Sequence, residues 1–234
     1  MYSVDVLLPT ARFAFAVDGA RVEVVPEHRS PEGYTVYEKV AAERAVVGMT
    51  TFPNTVLLRG PKTILVDPGM HLQNQPVVKA LAARGLGVDD LDFIALTHAH
   101  FDHAGACADV PGPVVVHELE LDDPDWPMVT GLLPTARLRL LSGATGELTP
   151  GITWVRTPGH TEGGVCFRVD TAEGLVVLAG DTIGPLRDDY ERVAAGGHAG
   201  EGSDPVLAAS WRAIASWRAV LLIAGHVPPF APTA

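Results

Sequence analysis

Cysteine, positive charge and uninterrupted apolar sequence are all scarce in this 234-residue chain. Two cysteines, Cys107 and Cys166, are too few for a disulfide framework, which points to a reducing compartment and a cytoplasmic protein. Lys and Arg number 17 against 28 Asp and Glu, a formal net charge of −11. Proteins grip a phosphate backbone by neutralising it with Lys and Arg, so this balance speaks against nucleic acid as a partner, local patches aside. No window approaches the ~18 uninterrupted apolar residues of a membrane span. The opening MYSVDVLLPT has no basic n-region and Asp5 interrupts its apolar run, so no export signal is expected. Repeats, low-complexity tracts and linkers are absent too, and a single domain over 1–234 is expected. Charged residues make up only 19% against 47% hydrophobic, the reverse of a disordered chain.

What is present begins with short strands in the first third: SVDVLL, FAFAV, ARVEVV, AVVGM, NTVLLRG and TILVD. Gly60-Pro61 is the turn between the last two, and Glu27–Tyr34 reads as a loop. A helix is predicted from Asn74 to about Arg84, with Asn74 as N-cap, Pro76 in its first turn and Gly85 past its end. Its apolar positions Val77, Val78, Leu81 and Ala82 share a face. DFIALTH is a short buried strand entering a His-rich loop, and PVVVH, LRLL and ITWVRT are further strands. GGVCFRVD and GLVVLAGD form a hairpin turning near Thr171–Glu173. A second helix runs from Ser203, through Asp204-Pro205, to about Arg218, with Val206, Leu207 and Ile214 as its core stripe. Trp211 and Trp217 are read as packing, and VLLIAGH closes the chain as a strand. Helices packed outside two sheets satisfy this order.

The chemistry lies in the nine histidines, above all in His98-Ala99-His100-Phe101-Asp102-His103. Side chains two apart in an extended segment point the same way, so His98 and His100 can bind one ion. A turn into helix near Asp102 would redirect Asp102 and His103 toward a second. His160 in TPGHTEGG, Asp181 in LAGDT and His226 in IAGHVPP each follow a strand end. The neighbouring Gly159, Gly180 and Gly225 let the backbone turn sharply or come close. Five imidazoles and two carboxylates suit two borderline divalent ions such as zinc, with Fe or Mn as alternatives.

These motifs, in order from NTVLLRGPKTILVDPG to AGHVPPF, resemble the metallo-β-lactamase superfamily. The resemblance implies an α+β fold, a four-layer αββα sandwich with metals at the edge of its two sheets. It implies that His98, His100 and His160 hold one metal, that Asp102, His103 and His226 hold the other, and that Asp181 bridges them. Asp67 in LVDPG matches a position that braces the ligands from behind; read alone, it serves equally as a turn residue before Pro68-Gly69. The implied activity is hydrolysis of an ester, lactone or thioester of a small molecule by hydroxide held between two ions. Asp102 and Asp181 are its catalytic carboxylates, and Asp102 or a metal-bound water would return a proton to the leaving group. HAHFDHAG is similar to the motif of the family's lactonases, which carry a Tyr soon after the bridging Asp; here Thr182-Ile183-Gly184 follows Asp181 and the next tyrosine is Tyr190. SVDVLL and LLIAGHVPPF resemble compact members of the metallo-β-lactamase domain-containing protein 1 type. A phosphodiesterase or ribonuclease and a mononuclear iron persulfide dioxygenase are the alternatives. A homodimer is the assembly the family suggests.

Two long segments read as loops near the ligands. Glu118–Thr135 reads either as a lid presenting Trp126 and Met128 to a partly apolar substrate or as a segment whose apolar residues cover the core. Gly184–Gly202 offers Arg187, Tyr190 and His198, and the phosphodiesterase alternative would use Arg187 and Arg192. His71 lies in a further loop open to the same role, while His28 and His117 read as ordinary. Cys107 and Cys166 read as small buried hydrophobes.

Overall fold

NTVLLRG and TILVD are apolar at nearly every position because both faces of the strands they form are covered. The computed structural model describes residues 1–18, 21–26, 45–198 and 204–232, and the expected loop Glu27–Tyr34 lies outside them. Strands β1 (Ser3–Leu8), β2 (Ala11–Asp18), β3 (Arg21–Pro26), β4 (Ala45–Phe52), β5 (Thr55–Arg59) and β6 (Thr63–Val66) precede helix α1 (Pro76–Ala83). Strand β7 (Phe93–Ala95), the one-turn helix α2 (Phe101–Ala104), β8 (Val114–His117), α3 (Trp126–Thr130) and β9 (Leu138–Leu141) follow. Then come β10 (Thr145–Thr149), β11 (Ile152–Arg156), β12 (Val165–Thr171), β13 (Gly174–Gly180), α4 (Arg187–Ala194), α5 (Pro205–Ser216) and β14 (Leu221–Ala224).

A six-stranded mixed sheet has the order β1-β5-β6-β7-β8-β9, and a five-stranded mixed sheet the order β10-β11-β12-β13-β14. Successive side chains of a strand point to opposite faces, and the core divides accordingly. Leu57, Leu65 and Ile94 face outward onto Val77 and Leu81 of α1 and Val129 of α3. Their neighbours Val56, Leu58, Ile64, Val66 and Ala95 face inward onto Ile152, Phe167, Val176 and Leu178 of the second sheet. On that sheet's far side Cys166, Val177, Ala179 and Leu222 meet Tyr190 of α4 and Leu207, Trp211 and Ile214 of α5. Helix, sheet, sheet, helix is thus the layer order, and each fully buried large apolar side chain contributes roughly 1.5–3 kcal/mol.

Several expectations need correction. Strands β2, β3 and β4 form a separate three-stranded sheet, order β3-β2-β4, so the first third does not feed only the two main sheets. Helix α1 starts at Pro76, and Asn74 is not its cap: Gln75 takes that place in a left-handed conformation (φ 44°) with no side-chain capping bond. Its backbone N–H instead closes a turn on the carbonyl of Leu72. Ala82 is exposed, and α1 buries Val77 and Leu81 with Val78 partly buried against the same core. In α5, Asp204 caps Val206 N–H at 2.8 Å, but Val206 itself is 46% exposed and the buried stripe is Leu207, Trp211 and Ile214. Among the described residues no helix is long and apolar enough to cross a membrane.

Candidate metal centre

Strands β6, β7 and β8 pair in parallel, so their C-terminal ends reach one edge of the first sheet. Asp67, the segment from His98 to His103, and Glu120 follow those ends. In the second sheet β11 and β13 share a direction through the antiparallel β12, and β14 runs parallel to β13. Their ends lead to His160, Asp181 and His226. His100 is the last extended residue before α2 (φ −65°, ψ 151°), and the helical turn swings Asp102 and His103 away from it.

Ligand atoms of His98, His100 and His160 lie within 4.8 Å of one another, as do those of Asp102, His103 and His226. His98, His103 and Asp181 form a third such group joining the two. His160 Nε2 stands 3.0 Å from His100 Nδ1. Asp181 Oδ2 lies 3.1 Å from His226 Nε2 and 3.7 Å from His160 Nε2, so one carboxylate reaches both triads. His226 Nε2 is also 3.2 Å from Asp102 Oδ2.

Three of the rings are aimed by bonds to their other nitrogen. Asp67 Oδ2 is 2.9 Å from His103 Nδ1 and accepts from Thr97 Oγ1 at 2.6 Å, while Asp67 Oδ1 accepts from Thr97 N at 2.8 Å. Thr97 Oγ1 is in turn 3.1 Å from His98 Nδ1. Thr51 Oγ1 lies 2.8 Å from His226 Nδ1. Each leaves an Nε2 facing the cluster, the arrangement that fixes tautomer and direction in metal-binding histidines. Asp67 itself holds φ 48°, a conformation Asp tolerates better than most residues.

The donor set fits divalent metal. His98 Nε2 and Asp181 Oδ1 are buried with no hydrogen-bond partner, a cost of about 1–3 kcal/mol each unless another ligand is bound there. A Cβ at residue 225 would lie 1.9 Å from Asp181 Oδ1 and 3.0 Å from His103 Cε1, so Gly225 is what lets β14 leave the sheet past the cluster.

Electrostatics differ around the ring. Burial, with help from cationic His103, holds His98 well below the ordinary imidazole range. Burial also lowers His160, against the pull of Asp181. For His103 burial is opposed by the carboxylates of Asp181 and Asp67, which together hold it well above its usual value. For His226 burial is overcome by Asp102 and Asp181. Asp181 is held well below the carboxylate range because His103 and His226 outweigh its burial.

A family model described as the metallo-beta-lactamase superfamily matches residues 49–226. The chain belongs to that superfamily. It is 31% identical over 143 residues to a probable metallo-hydrolase of Methanocaldococcus jannaschii, covering 56% of this chain and 66% of the relative. An N-acyl homoserine lactonase of a Bacillus species is 28% identical over 119 residues, 49% of this chain and 47% of that protein. Human metallo-beta-lactamase domain-containing protein 1 is 29% identical over 231 residues, 93% of this chain and 75% of that one. The chain thus spans between about half and three quarters of the length of these relatives. A solved N-acyl homoserine lactone hydrolase, with N-hexanoyl-L-homoserine at its catalytic metal centre, superposes with a TM-score of 0.62 at 18% identity, covering 96% and 92% of the two chains. Two of these relatives are named metallo-hydrolase and lactonase.

The expected substrate contacts are less closely gathered than the side chains of this cluster. Glu118–Thr135 is not an open loop: a 3-10 turn (Glu118–Asp122) leads into α3, and Trp126, Val129 and Leu133 pack into the outer core at helical spacing. Trp126 is therefore core, while Met128 is 59% exposed. Gly184–Gly202 likewise contains α4, and Tyr190 is 1% exposed, its ring against Phe230. Arg187 pairs with Glu191 at 2.9 Å and lies over the Phe230 ring, and Arg192 pairs with Asp189. His198 is exposed beyond α4, and His71 pairs with Asp109 at 3.0 Å. Sequence reasoning missed Thr51 and Glu120; the latter is a fully buried acid in an acidic stretch, and its only local signal is its place just past a buried strand.

Proposed function

We propose that the chain is a dinuclear metal-dependent hydrolase acting on an ester, lactone or thioester of a small molecule, with zinc as the first candidate metal. The observation that carries this reading is Asp181, one carboxylate within 3.7 Å of a histidine from each triad. Two divalent ions held by His98, His100 and His160 and by Asp102, His103 and His226, with Asp181 between, would supply Lewis acidity and lower the pKa of water from 15.7 toward about 7. The chain's own residues do the rest. Asp67 and Thr51 hold the Nδ1 atoms of His103 and His226, so neither ring can rotate away from the centre. Asp102, a quarter exposed, is held ionised by His226 against its partial burial. It is the carboxylate that would take a proton and return it to the leaving group.

A cavity of about 220 Å³, lined in part by Leu8, Phe52, Pro53, Pro68, Met70 and Leu72, lies among the loops that follow Thr51 and Asp67. Its apolar walls suit the hydrocarbon part of an ester or lactone better than a phosphate chain. The pairing of Arg187 and Arg192 within α4 also takes support from a phosphodiesterase. The two cysteines are free thiols, in keeping with a reducing compartment.

The test is metal analysis together with a panel of lactones, thioesters, phosphodiesters and a cephalosporin. The expected result is two equivalents of metal and chelator-sensitive turnover of lactones, esters or thioesters. Turnover confined to phosphodiesters, or parent-like metal content and turnover in both Asp181→Ala and His160→Ala, would overturn the reading.

A further inference from the structure

We propose that Glu120 is a positioning residue for one side of the centre: its carboxylate clamps the loop bearing His98 and His100 to the loop bearing His160. The inference rests on the reading that these three histidines hold one of two metals.

Glu120 lies in the 3-10 turn after β8 and is fully buried. Its Oε2 accepts from the backbone N–H of Ala99, the residue between His98 and His100, at 2.7 Å. Its Oε1 accepts from Thr161 Oγ1, adjacent to His160, at 2.6 Å. Burying a carboxylate is costly unless its oxygens are bonded, and here each oxygen is used on a different ligand loop. The second loop is shaped around it: a Cβ at Gly163 would lie 2.7 Å from both Glu120 Oε1 and Glu120 N. The same segment continues to Asp123 and Asp125, each 3.7 Å from His100 Nε2, the ring nitrogen turned away from His160. The stretch thus fixes the separation of the loops and faces the outer edge of one ring. Both hydrogen bonds of the Glu120 carboxylate go to the loops of His98, His100 and His160, whereas His226 on the other side is braced by Thr51. Loss of the clamp is therefore one-sided.

The experiment uses the full chain loaded with zinc, comparing the parent with Glu120→Ala, Glu120→Gln, Thr161→Val and, as control for the other side, Thr51→Val. Metal stoichiometry and chelator competition are measured, and anomalous diffraction at the zinc edge assigns each ion. For Glu120→Ala one equivalent binds about 10–100-fold more weakly, the usual effect of removing a group that orients a ligand, while the other keeps its parent affinity. The weakened ion is the one at His98, His100 and His160. Glu120→Gln, which keeps the shape and one acceptor oxygen, falls between parent and Glu120→Ala; Thr161→Val weakens the same ion and reads out the clamp should neither Glu120 variant fold. Thr51→Val weakens the opposite ion. Variants that bind both ions as the parent does, or weaken both equally, overturn this proposal alone. A parent that binds fewer than two ions overturns the dinuclear reading and this proposal with it.

Discussion

His103 and His226 are held by bonds to their own ring nitrogens, whereas His100 and His160 depend on what holds the loops that carry them. The first pair is buried, its side chains 0% and 6% exposed, and its partners Asp67 and Thr51 sit at or beside strand ends. The second pair lies at the mouth, 23% and 33% exposed, and Glu120 reaches it only through Ala99 N and Thr161 Oγ1. His98 belongs to both: its ligand partners are at the mouth, yet Thr97 links it back to Asp67. A buried ring can be aimed by a rigid partner from behind. A ring at the mouth must leave its surroundings open to substrate, so its position is set one step removed, by clamping backbone.

The comparison can be broken at graded strengths. Asp181 serves both sides, so Asp181→Ala should strip both metals and lower hydrolysis by about 10³-fold or more, measured as kcat/KM on whichever panel substrate is turned over. Trp126→Ala tests the boundary between clamp and core within one segment: it should cost about 3–5 kcal/mol in urea unfolding with metal stoichiometry unchanged. A fall in metal content without that destabilisation would assign Trp126 to the site instead. Asp67→Asn keeps a residue tolerant of φ 48° but weakens the bonds to His103 and Thr97. It should reduce metal affinity about 10–100-fold on both sides rather than one, as chelator competition would reveal.

The smallest effect expected is none. Cys107 and Cys166 are buried in the two outer core clusters, and burial pushes both thiols up to about 12. A raised thiol pKa favours the neutral form, so at pH 8 thiolate is scarce at either site. Thiol reagents should therefore label neither cysteine in the native protein at pH 8, and both after unfolding. Fast labelling of the native chain would mean that the shell around the site opens readily.

The clustering of these metal-ligand-type side chains was legible because each motif is local. His98, His100, Asp102 and His103 lie within six residues, and strand-then-helix geometry alone separates them into two directions. The turn at Thr171–Glu173 was legible for the same reason. Long apolar-acidic stretches were misread because loop and helix were judged by composition, when the spacing of Trp126, Val129 and Leu133 already had a helical period. The separate β3-β2-β4 sheet carried no such signal, since a strand's sequence records that its faces are covered, not by which partner.

By itself, then, the amino-acid sequence determined which side chains are available to metal, the order in which strands deliver them and the superfamily to which the chain belongs. Only the tertiary structure decided what holds them. Thr51 meets His226, Asp67 meets His103 and Glu120 meets both Ala99 and Thr161 across long stretches of chain. Such pairs depend on strand order and register, which bring distant segments to one edge, and no local periodicity encodes them.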